Sequence, residues 1–339
     1  MSVRSSTSVC AIAGLAPSSY CRSALHADER LWVEKNCYVD IWIGMLQALQ
    51  LNALACLPFV LSVDFEGDQW TFFKPSHDDL HALYGIDVQE LTVWRPLLDH
   101  AQEHLAAGRL ISTESDAFWL PDTAGTDYRQ KHTKTTIVLN EIDVANRRLG
   151  YFHNAGYHEL SGEDFVRTFR IDADPDPGFM PLYAELVKID SVVARTEIQL
   201  KAMSLALLVK HLRRRPRSNP FVRFRTRFER DLPWLQAQGL DHYHAWAFAA
   251  TRQAGAAFEL ASQCLHWLAT GDDARGAALH EAGQSFDELS SLTKAFILKG
   301  ARLVMNRKPF GDGAMFDDMA QSWDRGMSTL DGLVAHAKD

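Results

Sequence analysis

The chain has 339 residues, too many for one small domain and enough for two. Hydrophobic content of 47% and charged content of 23% are those of a folded globular protein, and a net charge of −8 argues against a general nucleic-acid binder. Five cysteines, at 10, 21, 37, 56 and 264, form no Cys-x-x-Cys pair; that argues against a disulfide framework or zinc finger and fits a reducing cytoplasm.

Residues 1–28 are rich in Ser and Ala, lack the apolar block of a secretory signal and read as a loose tail. No later run approaches the roughly eighteen apolar residues of a membrane span. At Cys37 the chain turns from polar to apolar, and Ile41, Met45, Ala48 and Leu49 keep helical spacing. Cys37 is therefore expected in the first turn of a helix. Leu51 to Val63 is an apolar run holding Pro58, and Gly67 turns the chain into an aromatic, strand-like segment at Trp70, Phe72 and Phe73. Asp78 to Tyr84 and Pro96 to Ala107 read as helices, the second with its proline in the first turn and Gly108 at its end.

Leu110 to Leu120 has strand character. Lys134 to Leu139 and Leu149 to Asn154, around a polar turn at Asp143 to Arg148, read as a hairpin. Ile171 to Gly178 breaks any element and reads as a linker; its Asp-x-Asp-x-Asp spacing lacks the closing glutamate of a calcium loop. From Pro181 onward the pattern is helical: Leu182 to Leu212, Phe221 to Gln238, His242 to Leu268, Gly283 to Asn306 and Phe316 to Ala337, punctuated at Gly239, Gly271 and Gly311. The expected organisation is an α+β domain over 29–178 followed by an all-α domain over 179–339.

Cys37 is the chemical focus. Unpaired N–H groups and the dipole at a helix start favour a thiolate, the nucleophilic form. The plain alternative is a small buried apolar residue. A cysteine nucleophile needs a base and a group that orients the base. His132 enters the first hairpin strand and Asn154 ends the second, and paired strands lie about 4.8 Å apart, within reach of an amide–imidazole contact. Asp122, Asp127 and Asp143 compete with Asn154, with turn chemistry as their ordinary role. The order Cys, His, Asn, with the cysteine on a helix and the others on strands, is that of a papain-like fold.

Cys37 with its helix, Asp116 to Pro121, His132 and Tyr151 to Asn154 resemble the N-terminal domain of the butirosin biosynthesis protein H family. That family is related to the papain-like leader peptidases of bacteriocin exporters. From Cys37 through Asp64 to Trp70 and on to Gly150 to Tyr157, the chain also resembles an uncharacterised bacterial family that often accompanies carrier-protein biosynthetic systems; this likeness covers most of residues 29–330. The resemblance implies a cysteine acyltransferase. An acyl or aminoacyl group would pass from the phosphopantetheine thioester of an acyl or peptidyl carrier protein to Cys37, then to a small amine. His132 would serve as base and then acid, and Asn154 would orient it where the peptidases carry Asp. Where papain-like enzymes place an oxyanion-hole Gln, the chain has Arg30 to Lys35, so the Cys37 N–H with Asn36 or Gln69 is the expected substitute. Asp64, Glu66 and Asp68 are candidates for recognising the amine, a solvated turn being the plain alternative, and Trp70 is either a substrate wall or core.

Nine cations from Lys210 to Arg230, against the single acid Glu229, form a local excess in an acidic chain. Arg213, Arg214, Arg215 and Arg217 are the expected docking patch for an acidic carrier, a solvated helix face being the plain alternative. No nucleic-acid motif accompanies them. His77/His81 and His100/His104 have i,i+4 spacing, and His153/His158 and His242/His244 lie close in sequence, but no third ligand stands beside any pair, so no metal or resident cofactor is expected. A papain-like peptidase or amidohydrolase shares the same residues, and a carrier-binding scaffold with a structural Cys37 needs none of them.

Overall fold

The computed structural model describes residues 8–171, 180–269, 274–311 and 313–336. The first seven residues of the expected tail, the linker stretch Asp172 to Gly178, Gly271 and Ala337 lie outside the described residues. In chain order the elements are β1 (Val9–Cys10), α1 (Cys37–Ala48), β2 (Phe65–Glu66), β3 (Gln69–Trp70), α2 (His77–Tyr84), β4 (Asp87–Glu90) and α3 (Leu97–Ala106). There follow β5 (Leu110–Asp116), β6 (Lys134–Asp143), β7 (Arg148–His153), β8 (Gly156–Ser161), α4 (Glu163–Thr168) and β9 (Ala184–Lys188). The C-terminal part is all helical: α5 (Glu197–Leu212), α6 (Pro220–Gln238), α7 (Leu240–Ala249), α8 (Thr251–Leu268), α9 (Ala274–Met305) and α10 (Ala314–His336). The expected mixture of a sheet-bearing N-terminal part and a helical C-terminal part is therefore present.

The first compact unit comprises the chain up to Ala27, Asn36–Ala53 and His77–Arg195. Its sheet runs β4-β9-β5-β6-β7-β8, every pair antiparallel, with β1 added beside β6. Side chains alternate across a strand, so Lys134, Thr136 and Val138 share one face of β6 while Thr135, Ile137 and Leu139 share the other. The second face buries an apolar core of Ile111, Ile137, Leu139, Tyr151 and Leu160 against Leu98, Leu105 and Phe165 of α3 and α4. Helix α1 covers the first face. Gly44 faces Phe152 and the Tyr20 hydroxyl, and a Cβ there would crowd that hydroxyl at 3.3 Å.

Two expectations need correction here. Residues 8–28 are not a loose tail: β1 pairs with β6, and Leu25 and His26 are buried, His26 Nε2 lying 2.9 Å from Asp40 Oδ1 of α1. Leu182 to Leu212 is not one helix, because Ala184–Lys188 pairs with β4 and β5 in the sheet. Apolar residues at 184, 186 and 187 serve a strand as well as a helix, and only the open edge of β5 decides between them.

The second unit comprises Asp28–Lys35, Leu54–Ser76 and Thr196–Asp339. Thr196 and Gln199 form a capping box at the start of α5. Phe221, Phe224 and Phe228 of α6 recur on one face and pack against Trp70, Trp246, Phe296 and Phe316, mostly tilted or edge to face. Gly239, at φ +90°, takes the left-handed turn between α6 and α7 that a side chain would strain. Within this unit the buried Lys35 ammonium meets Glu259 at 3.0 Å. Among the described residues no helix is long and apolar enough to cross a membrane.

Candidate active site

Helix α1 begins where the sequence places it. The Asn36 side chain caps it, accepting from the N–H groups of Tyr38 at 3.1 Å and Val39 at 2.9 Å. Cys37 is the first helical residue and is half-buried. Among the described residues its own N–H meets no acceptor, so one backbone donor stays open beside the thiol. Asn36 uses its carbonyl oxygen as the cap, which makes it an anchor of the helix start.

The thiol faces the sheet, its sulfur 3.9 Å from the Thr136 hydroxyl. Register places Glu114 directly across from Thr136, Asp116 across from Lys134, and Glu185 across from Ser112. These side chains therefore share the face that α1 covers. Lys134 reaches back to Glu114 at 2.9 Å. One residue past the thiol, the Tyr38 hydroxyl donates to Glu185 at 2.9 Å and lies 3.0 Å from His77 Nε2. The Tyr183 hydroxyl donates to the same carboxylate at 3.0 Å, and His77 Nε2 stands 3.4 Å from it. Glu185 is only 1% exposed, and these partners compensate its charge. Burial first, and the adjacent carboxylate second, push the Tyr38 phenol far above its ordinary range, so it remains a donor.

His132 is oriented, but not by Asn154. Its Nδ1 lies 2.6 Å from Asp116 Oδ2, and its ring stacks on Phe118 with centroids 4.4 Å apart. Asp116 also caps a 3-10 turn, accepting from the Phe118 N–H at 3.1 Å, so both partners of the imidazole are set by one residue. The ring is 69% exposed, and Nε2 has no partner among the described residues. Asn154 sits at φ +46° in the turn between β7 and β8, a conformation asparagine tolerates, and its side chain makes no hydrogen bond among the described residues. The expected His132–Asn154 contact does not form. Nor does any hydrogen bond join His132 to Cys37. The Asp116–Lys134 pair lies one two-residue repeat, about 7 Å, beyond the Glu114–Thr136 pair on the face that carries the thiol.

A second histidine–aspartate pair occupies the opposite face. His153 Nδ1 is 2.6 Å from Asp122 Oδ2, its Nε2 is 2.8 Å from the Thr135 hydroxyl, and the Tyr151 hydroxyl donates to Asp122. His153, Thr135 and Tyr151 are buried and the Asp122 side chain is only 6% exposed, all on the α3 side of the sheet, which separates them from Cys37. Asp127 binds the Thr133 hydroxyl and Asp143 binds Asn146, both as turn residues.

The remaining candidates belong to the second unit. Gln69 and Trp70 form β3, and Trp70 is core, packed on Phe65, Phe221 and Phe224. Asp64 is held by Arg223, and Glu66 is exposed on the β2–β3 hairpin. The basic run is largely spent internally: Arg215 binds Asp331, Arg225 binds Glu229 and Asp317, and Arg227 and Arg230 bind Asp231. Arg213, Arg214 and Arg217 are exposed and have no acidic partner among the described residues. Arg213 and Arg217 line a groove of about 380 Å³ with Arg215, Trp323, Asp324 and Asp331. No group of three or more His, Cys, Asp or Glu side chains gathers as a metal site among the described residues.

Tyr38, Thr136, His77 and Glu185 were not singled out as site residues by the sequence. Asp116 was legible in principle, as an N-cap aspartate two residues before Phe118 on the strand that pairs with β6. Residues 21–189 match the DUF1839 N-terminal domain and residues 197–332 match the DUF1839 C-terminal domain. Comparison with curated proteins returned no match.

Proposed function

We propose that this chain, a member of the DUF1839 family, is a cysteine acyltransferase in which Cys37 holds the acyl group. The observation that carries this reading is a half-buried thiol at the first residue of a capped helix, beside its own N–H, which meets no acceptor among the described residues. The thiolate would attack the carbonyl of a carrier-bound thioester, with the Cys37 N–H as an oxyanion donor. A carbon–sulfur bond forms to Cys37, the carrier thiolate leaves and takes up a proton. An amine then attacks the new thioester, gives its proton to His132 Nε2, and Cys37 departs as thiolate.

The gap between the two rows on the sheet face supports assigning His132 to the acceptor. His132 is held by Asp116, and the thiol lies against Thr136, one two-residue repeat away along the same face, so the imidazole is assigned to the amine that attacks the thioester and not to the thiol itself. Asp116 fixes the tautomer, the part earlier given to Asn154, and it restores an aspartate to that role. An α1 helix that carries cysteine at its start and packs on an antiparallel sheet is in keeping with a papain-like ancestry. The acidic carrier, bearing its phosphopantetheine arm, would dock on Arg213, Arg214 and Arg217, the arginines not spent on internal pairs.

The test is intact-mass analysis of the chain after incubation with an acyl-loaded carrier protein. The expected result is an acyl adduct that Cys37→Ala abolishes and that small amines discharge faster than water. An adduct discharged by water alone would make the protein a hydrolase. With no adduct and carrier binding retained, it is a scaffold.

A further inference from the structure

The sheet face that carries the thiol also carries an amine of the chain itself. Lys134 of β6 lies directly across from Asp116, yet its ammonium does not go there. Both Asp116 oxygens are engaged, Oδ1 by the Phe118 N–H and Oδ2 by His132. The Lys134 side chain instead leans along the face, and its Nζ lies 2.9 Å from Glu114 Oε1, one two-residue repeat away on β5. Glu114 is the residue across from Thr136, whose hydroxyl lies 3.9 Å from the Cys37 sulfur. The ammonium is thereby drawn out of its own row and toward the row of the thiol.

It is held there loosely. The Lys134 side chain is 70% exposed and that of Glu114 31%, and an ion pair this open is weak. The flexible four-carbon stem of a lysine lets the amine swing across the face once it leaves the carboxylate. The described strands carry two lysines, Lys134 and Lys188. Lys188 stands three residues beyond Glu185 on β9, hence on the opposite face, and is paired with Asp87 at 2.9 Å. Lys134 is therefore the strand lysine placed to meet a group carried on Cys37.

We propose that Lys134 is a self-acylation site, a reading that rests on the Cys37 acyl-enzyme: with no outside amine present, Cys37 passes its acyl group to Lys134 Nζ. The ammonium first gives one proton to Glu114, which passes it to water. The neutral amine attacks the Cys37 thioester carbonyl and loses a second proton to water. A carbon–nitrogen bond forms, the carbon–sulfur bond breaks, and Cys37 departs as thiolate. Thioester and amine share one face of one sheet, so the step is intramolecular and gains from proximity. The product is an amide. It removes the Lys134 charge, frees Glu114 and leaves an acyl chain on the thiol face, so later turnovers slow wherever donor outruns acceptor.

The test incubates the full-length chain with an acyl-loaded carrier protein and no amine, then maps peptides with and without neutral hydroxylamine, which cleaves thioesters and spares amides. A Cys37 thioester should appear first and decay into a hydroxylamine-resistant amide at Lys134. The amide should form at a rate independent of protein concentration, at least tenfold faster than at Lys188, and not in Cys37→Ala. In Lys134→Arg, an exposed change that keeps the charge, the Cys37 thioester should persist at least tenfold longer. A thioester that decays to free thiol with Lys134 unmodified would overturn the proposal, reduce Lys134–Glu114 to a cross-strand ion pair and leave the acyl-enzyme standing. An amide at Lys134 in Cys37→Ala would also overturn it, as direct acylation by the carrier. No thioester at Cys37 would overturn the acyl-enzyme and the self-acylation together.

Discussion

Replacing Asp122 by alanine should damage stability far more than any substitution at His132. The Asp122 carboxylate is buried and accepts from both the Tyr151 hydroxyl and His153. Truncation leaves two buried donors with no acceptor, each costing about 1–3 kcal/mol, or about 2–6 kcal/mol together. Domains of this size are stabilised by about 5–15 kcal/mol, so the loss is a large share of the total. At about 2–4 °C per kcal/mol it corresponds to a fall of roughly 4–24 °C in melting temperature. Asp122→Asn keeps one acceptor and should fall between the two. Urea unfolding at pH 7, followed by circular dichroism with the denaturant slope compared between variants, measures the effect. A loss below about 1 kcal/mol for Asp122→Ala would refute the reading of this network as structural.

The same network sets an acid limit. Burial alone would raise the Asp122 carboxyl, but the hydrogen bond and charge of His153 outweigh it and hold it low. Burial chiefly holds the His158 imidazole below its ordinary range. The imidazole resists protonation when folded, so stability should start to fall below about pH 6.5; the carboxylate's share should be lost below about pH 4. A melting temperature that holds or rises from pH 6.5 to 5 would contradict this, and in Asp122→Ala the lower part of the fall should flatten. Gly255→Ala should cost about 1–3 kcal/mol in thermal or urea denaturation, because a Cβ there collides with the Trp32 ring and the Thr293 hydroxyl. Tyr38→Phe removes a donor from buried Glu185 and should cost about 1.5–3 kcal/mol by urea unfolding. A neutral result would mean that Glu185 is satisfied without it.

Local pattern carried the local facts. The polar-to-apolar switch at Cys37 and the Asn36 cap mark the start of α1, and the β-branched run of β6 with its polar turn marks the hairpin. What escaped depends on distant neighbours. Ala184–Lys188 is a strand because β4 and β5 leave a place between them, which its own residues do not announce. Asn154 looks like the end of a strand, yet its positive φ places it in a turn. His153 outranks it in partners only because Asp122 returns over the far face of the sheet. The charge of the basic run was visible, but not that Asp64, Glu229, Asp231, Asp317 and Asp331 neutralise most of it.

Single-turnover transfer from a carrier-bound acyl thioester, with peptide mapping of the labelled residue, tests the central claim most directly. The acyl group should map to Cys37 and be absent in Cys37→Ala. In His132→Ala the label should still form while its discharge to an amine slows by about 10²–10⁴-fold, the usual worth of a positioned base. Label on another residue in Cys37→Ala, or discharge at the wild-type rate without His132, would contradict the account.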